Sequence, residues 1–126
     1  MEHCIENANL LYVKTQISKV KINEKYNAVK ILFKDTDKYN IISAEADCCS
    51  ESWFYFFEDK KLASIVGKSI KNIEYCKDID LPPSNVQECD INSLYRMNFT
   101  DGTYFEFVLR NSSNGYYCGW LEVHRY

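Results

Sequence analysis

Two polar segments carry most of the side chains in this chain whose types and spacing suit chemistry. They are Asp47-Cys48-Cys49-Ser50-Glu51-Ser52 and Arg110-Asn111-Ser112-Ser113-Asn114-Gly115. Each follows a β-like apolar stretch and each runs into aromatics, Trp53 in the first case and Tyr116 in the second. Polar groups gathered at strand ends cap structure, bind something, or do both. As a recognition site, Arg110 would supply a forked donor, and Ser50, Ser52 and Ser112 would supply hydroxyls. With Asp47, Glu51, Asn111 and Asn114 beside them and Trp53 at the border, the set suits an anionic or polyhydroxyl ligand. As architecture, the same Asp, Ser and Asn side chains would satisfy neighbouring backbone in turns and caps. Residue types alone leave these two readings level.

Cys48 and Cys49 raise a third chemistry. A thiol in the first turn of a helix feels the positive end of the dipole and becomes a better nucleophile. Such a mechanism also needs a base, and the two histidines, His3 and His124, lie at opposite ends of the sequence. No oxyanion partner is identifiable, so a thiol-dependent enzyme ranks below a binding role. Six cysteines without a CxxC pair, in a chain that reads as cytosolic, are expected to be reduced thiols rather than a zinc site or a disulfide frame. Glu45, Asp47, Glu51 and Glu58 are close in sequence, but nothing sets the separation that paired-carboxylate hydrolysis requires. No catalytic residue, metal or cofactor is assigned.

The elements that would hold these segments read mainly as strands. Ala28–Lys34 alternates Val29, Ile31 and Phe33 with Lys30 and Lys34, and Tyr39–Ala46 returns with Ile42, Ala44 and Ala46 inward. Between Leu10 and Ile22 the apolar parity changes, which predicts a strand pair or a bulge. Trp53-Phe54-Tyr55-Phe56-Phe57 fits a buried strand or a short helix, and Ser50, Glu51 and Ser52 before it favour a helix start. Lys60–Val66 predicts a second helix with Leu62, Ile65 and Val66 on one face, stopped by Gly67. A strand follows at Ser69–Cys76, and Leu81-Pro82-Pro83-Ser84-Asn85 reads as a loop because proline cannot donate to a ladder. Leu94–Thr100 and Thr103–Arg110 alternate cleanly around Asp101-Gly102, a type I′ turn signal. Tyr116–His124 completes an antiparallel meander. Tyr104 and Trp120, with Val108 and Cys118, would line the second face of that sheet, which is either covered by the aromatic helix, the default, or available to a partner. Residues 1–9 read as frayed or short helical.

At 126 residues the chain suits one domain, residues 1–126, and 46% hydrophobic content is enough for a core without staples. Nineteen aromatics, ten of them Tyr, tilt the expectation toward β structure. A net charge of −3 gives no global basic field. The lysines at 14, 19, 21, 25, 30 and 34 therefore read as solvated strand faces rather than a nucleic-acid interface. No apolar run reaches the length of a membrane span, and residues 1–6 lack a signal-peptide core.

Taken together, Asp47 to Trp53, Leu81 to Asn85 and Leu109-Arg110-Asn111-Ser112-Ser113-Asn114-Gly115-Tyr116-Tyr117 resemble a family of small uncharacterised proteins. That family is associated with giant DNA viruses, bacteria and bacteriophages. The similarity runs from about Ala28 to Val123, with residues 1–25 as a variable extension. It implies a viral or microbial origin and marks these motifs as the family's signature, but it lends no mechanism. The expectation is an α+β domain, a twisted and mostly antiparallel sheet of six or seven strands with one or two short helices. Its function is expected to be a non-enzymatic binding or protein-interaction module of the cytoplasm, host or virion, with an unidentified small ligand or protein partner. The alternative is a structural or virion-associated protein, a homodimer in its simplest form.

Overall fold

The computed structural model describes residues 5–47, 49–115 and 119–126. The described residues form nine strands: β1 (Ile5–Glu6), β2 (Ile17–Ile22), β3 (Ala28–Phe33), β4 (Tyr39–Ala46), β5 (Glu51–Tyr55), β6 (Ile70–Asp78), β7 (Cys89–Phe99), β8 (Tyr104–Ser113) and β9 (Gly119–Arg125). They make two sheets, one in the order β1-β9-β4-β3-β2 and one in the order β5-β8-β7-β6. Every strand pairing is antiparallel except β1 with β9. The expected single sheet of six or seven strands is therefore corrected to two sheets with more strands. The periodicity that identifies a strand is silent about which sheet it joins.

The two sheets pack face to face around one apolar core. Val29, Ile31, Phe33, Ile42, Leu121 and Val123 come from the first sheet, and Phe54, Tyr95, Met97, Phe105 and Phe107 from the second. Phe54 meets Phe107 edge to face at 5.7 Å, and Tyr95 stacks on Phe107 at 5.9 Å. Such aromatic pairs add to the area they bury. The lysines alternate outward as expected, with Lys19 and Lys21 exposed and Ile31 and Phe33 inside. The parity change after Ile17 is a bulge in β2, where the register to β3 shifts between Ile17 and Lys19.

Several expectations are corrected. The stretch 50–57 does not begin a helix: Glu51–Tyr55 is β5, with Phe54 and Phe56 buried and Tyr55 and Phe57 exposed. The period of two, not the Ser-Glu-Ser prefix, decided it. The predicted helix over 60–66 is real but short, α1 (Asp59–Leu62) running into a 3-10 turn at Ala63–Ile65. It buries Leu62 and Ile65 and leaves Val66 outside, and Gly67 stops it at φ +91°. At Asp101-Gly102 only the glycine has positive φ, and Phe99 N–H donates to Thr103 O across a three-residue loop. That is a bulge-type hairpin, not type I′. Residues 5–10 form β1 and a 3-10 turn at Ala8–Leu10, whereas residues 1–4 lie outside the described residues.

The meander also ends sooner than expected. β6, β7 and β8 are consecutive neighbours, but β9 crosses to the other sheet and pairs with β4, from Asn40–Arg125 to Ala46–Gly119. Tyr104 and Trp120 consequently lie in different sheets. The segment 79–88 is tied to the second sheet by Ile79 N–H, which bonds to Asn92 O, and by Pro82 O, which accepts from Arg110. Among the described residues no helix is long and apolar enough to cross a membrane.

Candidate functional site

The two polar segments lie where the chain changes sheets. Residues 47–50 lead from β4 to β5, and the stretch after Ser113 leads from β8 to β9. Ala46 pairs with Gly119 and Glu51 pairs with Ser112, so both crossings occupy the same end of the sandwich. The segments meet largely as paired strands, however, and not as two loops. Ser52 sits opposite Asn111 and Trp53 opposite Arg110. Polar residues from Arg110 to Ser113, read as a loop, are the last part of β8.

Much of the polar chemistry here is internal. Asn111, 4% exposed, donates through Nδ2 to Glu51 O at 3.1 Å and to Ser52 Oγ at 2.9 Å. Its Oδ1 is buried without a hydrogen-bond partner among the described residues. Ser112 is fully buried and accepts from Gln87 N at 2.9 Å, and Ser113 Oγ accepts from Gly115 N at 3.0 Å. Gly119 closes this cluster. A Cβ there would overlap Ser52 Oγ and stand 3.0 Å from both Asn111 Nδ2 and the Glu45 carbonyl. Only a residue without a side chain lets the sheets approach so closely.

Arg110 is also committed. Its Nε donates to Asn92 Oδ1 at 3.0 Å and one terminal nitrogen donates to Pro82 O at 2.7 Å. That nitrogen stands 3.9 Å from Asp90, and the guanidinium carbon lies 5.7 Å from the Trp53 ring centroid. Asp90 in turn accepts from Ser84 N at 2.7 Å and from Ser84 Oγ at 2.6 Å. Those hydrogen bonds from Ser84, with smaller help from Ser112 and Arg110, hold the Asp90 carboxyl below the usual carboxylate range. The forked donor expected to face a ligand instead pins the 79–88 segment across the second sheet.

The first segment is more open. Asp47 is exposed, and its carbonyl accepts from Ser50 N and Ser50 Oγ, both at 3.1 Å. Cys49 is exposed at φ +78°, its carbonyl accepting from Gln87 Nε2 at 2.9 Å. With no helix starting here, the dipole argument for an activated thiol loses its cause. Cys48 lies outside the described residues, and Asn114 is exposed. His124 stands on β9 with Nε2 at 3.0 Å from Ser43 Oγ and 3.2 Å from Glu122 Oε2. Both contacts share one ring nitrogen, and a relay would need both nitrogens.

Beside this segment runs a groove of about 560 Å³. Ser50, Glu51, Ser52 and Trp53 form one wall; Lys25, Asn27, Ala44 and Val86 complete the lining. The turn that carries Lys25 and Asn27 is set by Asn23 Oδ1, which accepts from Asn27 N and Ala28 N. It is tied to the edge of β5 by a bond from Phe54 N to Tyr26 O at 2.6 Å. Lys25, Asn27 and Val86 were not legible as site residues, because their proximity to Trp53 depends on how the sheets stack. The motif around Pro82 and Ser84 was visible as a string but not as a strut. Residues 8–123 match the model of a family described as a domain of unknown function (DUF7448). No solved structure matches the chain.

Proposed function

We propose that this chain, which belongs to the DUF7448 family, is a non-enzymatic binding module that takes a small polyhydroxyl ligand in the groove beside β5. The observation that carries the reading is the composition of that groove: an indole, one ammonium, one carboxylate, an amide and two hydroxyls converge on one space. Trp53 offers an apolar face to a sugar-like ring, while Asn27 and Ser52 can donate to it and Ser50, whose proton goes to Asp47 O, can accept. Lys25 and Glu51 balance in charge, which favours a neutral ligand over a strong anion. Of the residues singled out in sequence, Ser50, Glu51, Ser52 and Trp53 are assigned contact with ligand. Asp47 and Cys49 carry the chain into this wall, and Cys48 lies outside the described residues. Arg110, Asn111, Ser112 and Asn114 are assigned to the frame behind it. The resemblance to small proteins of giant viruses, bacteria and phages supports a cytoplasmic or virion setting.

A thermal-shift and calorimetric screen of neutral sugars, polyols, nucleotides and metal ions tests this. Wild type should respond to a neutral polyhydroxyl compound, and Trp53→Ala should weaken that response at least about tenfold, the scale of a lost central aromatic contact. A panel without effect on wild type, or an equal response from Trp53→Ala, rejects the groove.

A second reading rests on a different surface. Phe57 and Tyr104, both more than half exposed, line a shared groove beside α1, and Tyr55 touches Phe57 at 5.5 Å. An aromatic patch of this kind favours self-association as a structural homo-oligomer. Sedimentation of wild type against Phe57→Ser/Tyr104→Ser decides it, because a monomeric wild type removes the reading.

A further inference from the structure

We propose a second ligand site, at the opposite end of β4 from the groove, that binds the phosphate group of a small phosphorylated molecule. The β3–β4 hairpin and the segment before β2 enclose a cleft of about 270 Å³ lined by Tyr12, Thr15, Phe33, Lys34, Thr36 and Lys38. Two ammonium groups, two hydroxyls and two aromatics face this space, and no carboxylate is among its lining residues. The hairpin's own acids, Asp35 and Asp37, are exposed and lie outside that lining. Neither Lys34 nor Lys38 is held in an ion pair among the described residues. Their charges are thus available to an anion, which gains most from ionised donors.

The hydroxyls are not equivalent. Thr36 Oγ1 accepts from Lys38 N at 3.2 Å, so its own proton is free to be donated to an anion. Thr15 Oγ1 already donates to Val13 O. The aromatic floor is pre-set. Tyr12 N–H donates to the buried Asn40 Oδ1 at 2.8 Å, its hydroxyl donates to Tyr126 O at 3.0 Å, and its ring packs edge to face on Phe33 at 5.4 Å. Arg125 adds positive potential from behind, its guanidinium carbon 4.8 Å from the Tyr12 centroid, with Nε donating to Leu10 O and one terminal nitrogen to Asn9 O. A floor fixed before binding costs no ordering when the ligand arrives. The cleft's size suits one phosphate and a short organic body. It is too small to track a polynucleotide backbone.

Titration calorimetry at low salt with inorganic phosphate, glycerol phosphate and glycerol tests the site. Wild type is expected to bind glycerol phosphate, and in Trp53→Ala, where the groove is weakened, glycerol phosphate should bind and glycerol should not. In Lys34→Gln/Lys38→Gln the affinity should fall at least about tenfold, as expected for two lost charge-assisted bonds. Both lysines are exposed, so an unchanged melting temperature confirms that the variant folds. Trp53→Ala should leave glycerol phosphate binding intact, which separates this site from the groove. The proposal is overturned if neither phosphate compound binds, or if the double variant binds as wild type does. It is also overturned if a single-stranded oligonucleotide binds more tightly than glycerol phosphate, since that marks an extended backbone surface instead.

Discussion

The two ends of the sandwich are built on opposite plans. At the sheet-crossing end, Asn111, Ser112, Ser113 and Ser52 tie the end of the second sheet and its loops through polar contacts, and Gly119 of the first sheet packs directly against Ser52 and Asn111. At the hairpin end, aromatics and cations meet at the surface: Lys30 over Tyr39 at 4.3 Å, Arg125 over Tyr12, and Tyr39 stacked on Tyr126 at 5.0 Å. Along β4 the two ends are about 23 Å apart, from the rise per strand residue. A buried polar group left unpaired costs its full desolvation, whereas an exposed cation that loses a neighbour returns to water. Substitutions should therefore damage the fold at the crossing end, whereas replacing the cleft lysines Lys34 and Lys38 at the hairpin end should change only binding.

Four tests sharpen or break that contrast. The largest effect is expected from Gly119→Ala, whose methyl would overlap Ser52 and crowd the Glu45 carbonyl. It should cost about 2–3 kcal/mol, a fall in Tm of roughly 10 °C by thermal unfolding. Arg110→Ala comes next. It strands the Asn92 Oδ1 and Pro82 O acceptors and releases the 79–88 segment, costing about 1–3 kcal/mol in urea titration. If either variant melts as wild type does, the crossing end is not the structural joint described here.

A third test uses pH. Each end carries a carboxyl held below its ordinary range. Asp90 is held mainly by Ser84 hydrogen bonds, and Asp101 mainly by the Lys68 ammonium at 2.6 Å, with Thr103 helping. A depressed folded value contributes stability that is present above the unfolded value of about 3.9 and is lost as pH falls through the folded one. Compared with wild type, Asp90→Asn and Asp101→Asn should each be destabilised at neutral pH, and the differences should shrink on acidification. Added salt should weaken the Asp101 difference more than that of Asp90, because an exposed ion pair is screened and a hydrogen bond from serine much less so. Equal salt sensitivity would erase the distinction. Smallest of all, Lys34→Gln/Lys38→Gln should move stability by no more than about 0.5 kcal/mol. A larger loss would show that the hairpin end is structural too.

Sequence periodicity located most strands because one face of each is buried. Val29, Ile31 and Phe33, or Phe105, Phe107 and Leu109, announce themselves by alternation. It failed where side-chain type and burial disagree. Ser112 and Ser113 look like loop residues yet lie in the interior, because the polar partners that make burial tolerable come from residues 84–87 and 115. The aromatic run at 53–57 concealed its period of two behind uniform ring size. Partner choice was also invisible, since β9 has the same alternation whether it pairs with β8 or with β4. The site was legible as two strings that would share one place. The groove itself was not, because Lys25 and Asn27 reach it only through the stacking of the sheets.

The pairing of β9 with β4 also governs how the molecule is assembled. Asn40 must find Arg125 across 85 positions of chain, and β1 can join only after β9 is in place. The hairpins β2–β3–β4 and β6–β7–β8 can form from local contacts, but the first sheet keeps the β4 edge open until residues 119–125 arrive. Loop closure over such a span is paid before its contacts return anything, which places folding on the millisecond-to-second scale of non-local β proteins. During that interval β4, with Ile42 and Ala44 on its inner face, is an unguarded edge competent to recruit another chain. A ribosome-bound chain lacking residues 119–125 would therefore be the species most prone to aggregate.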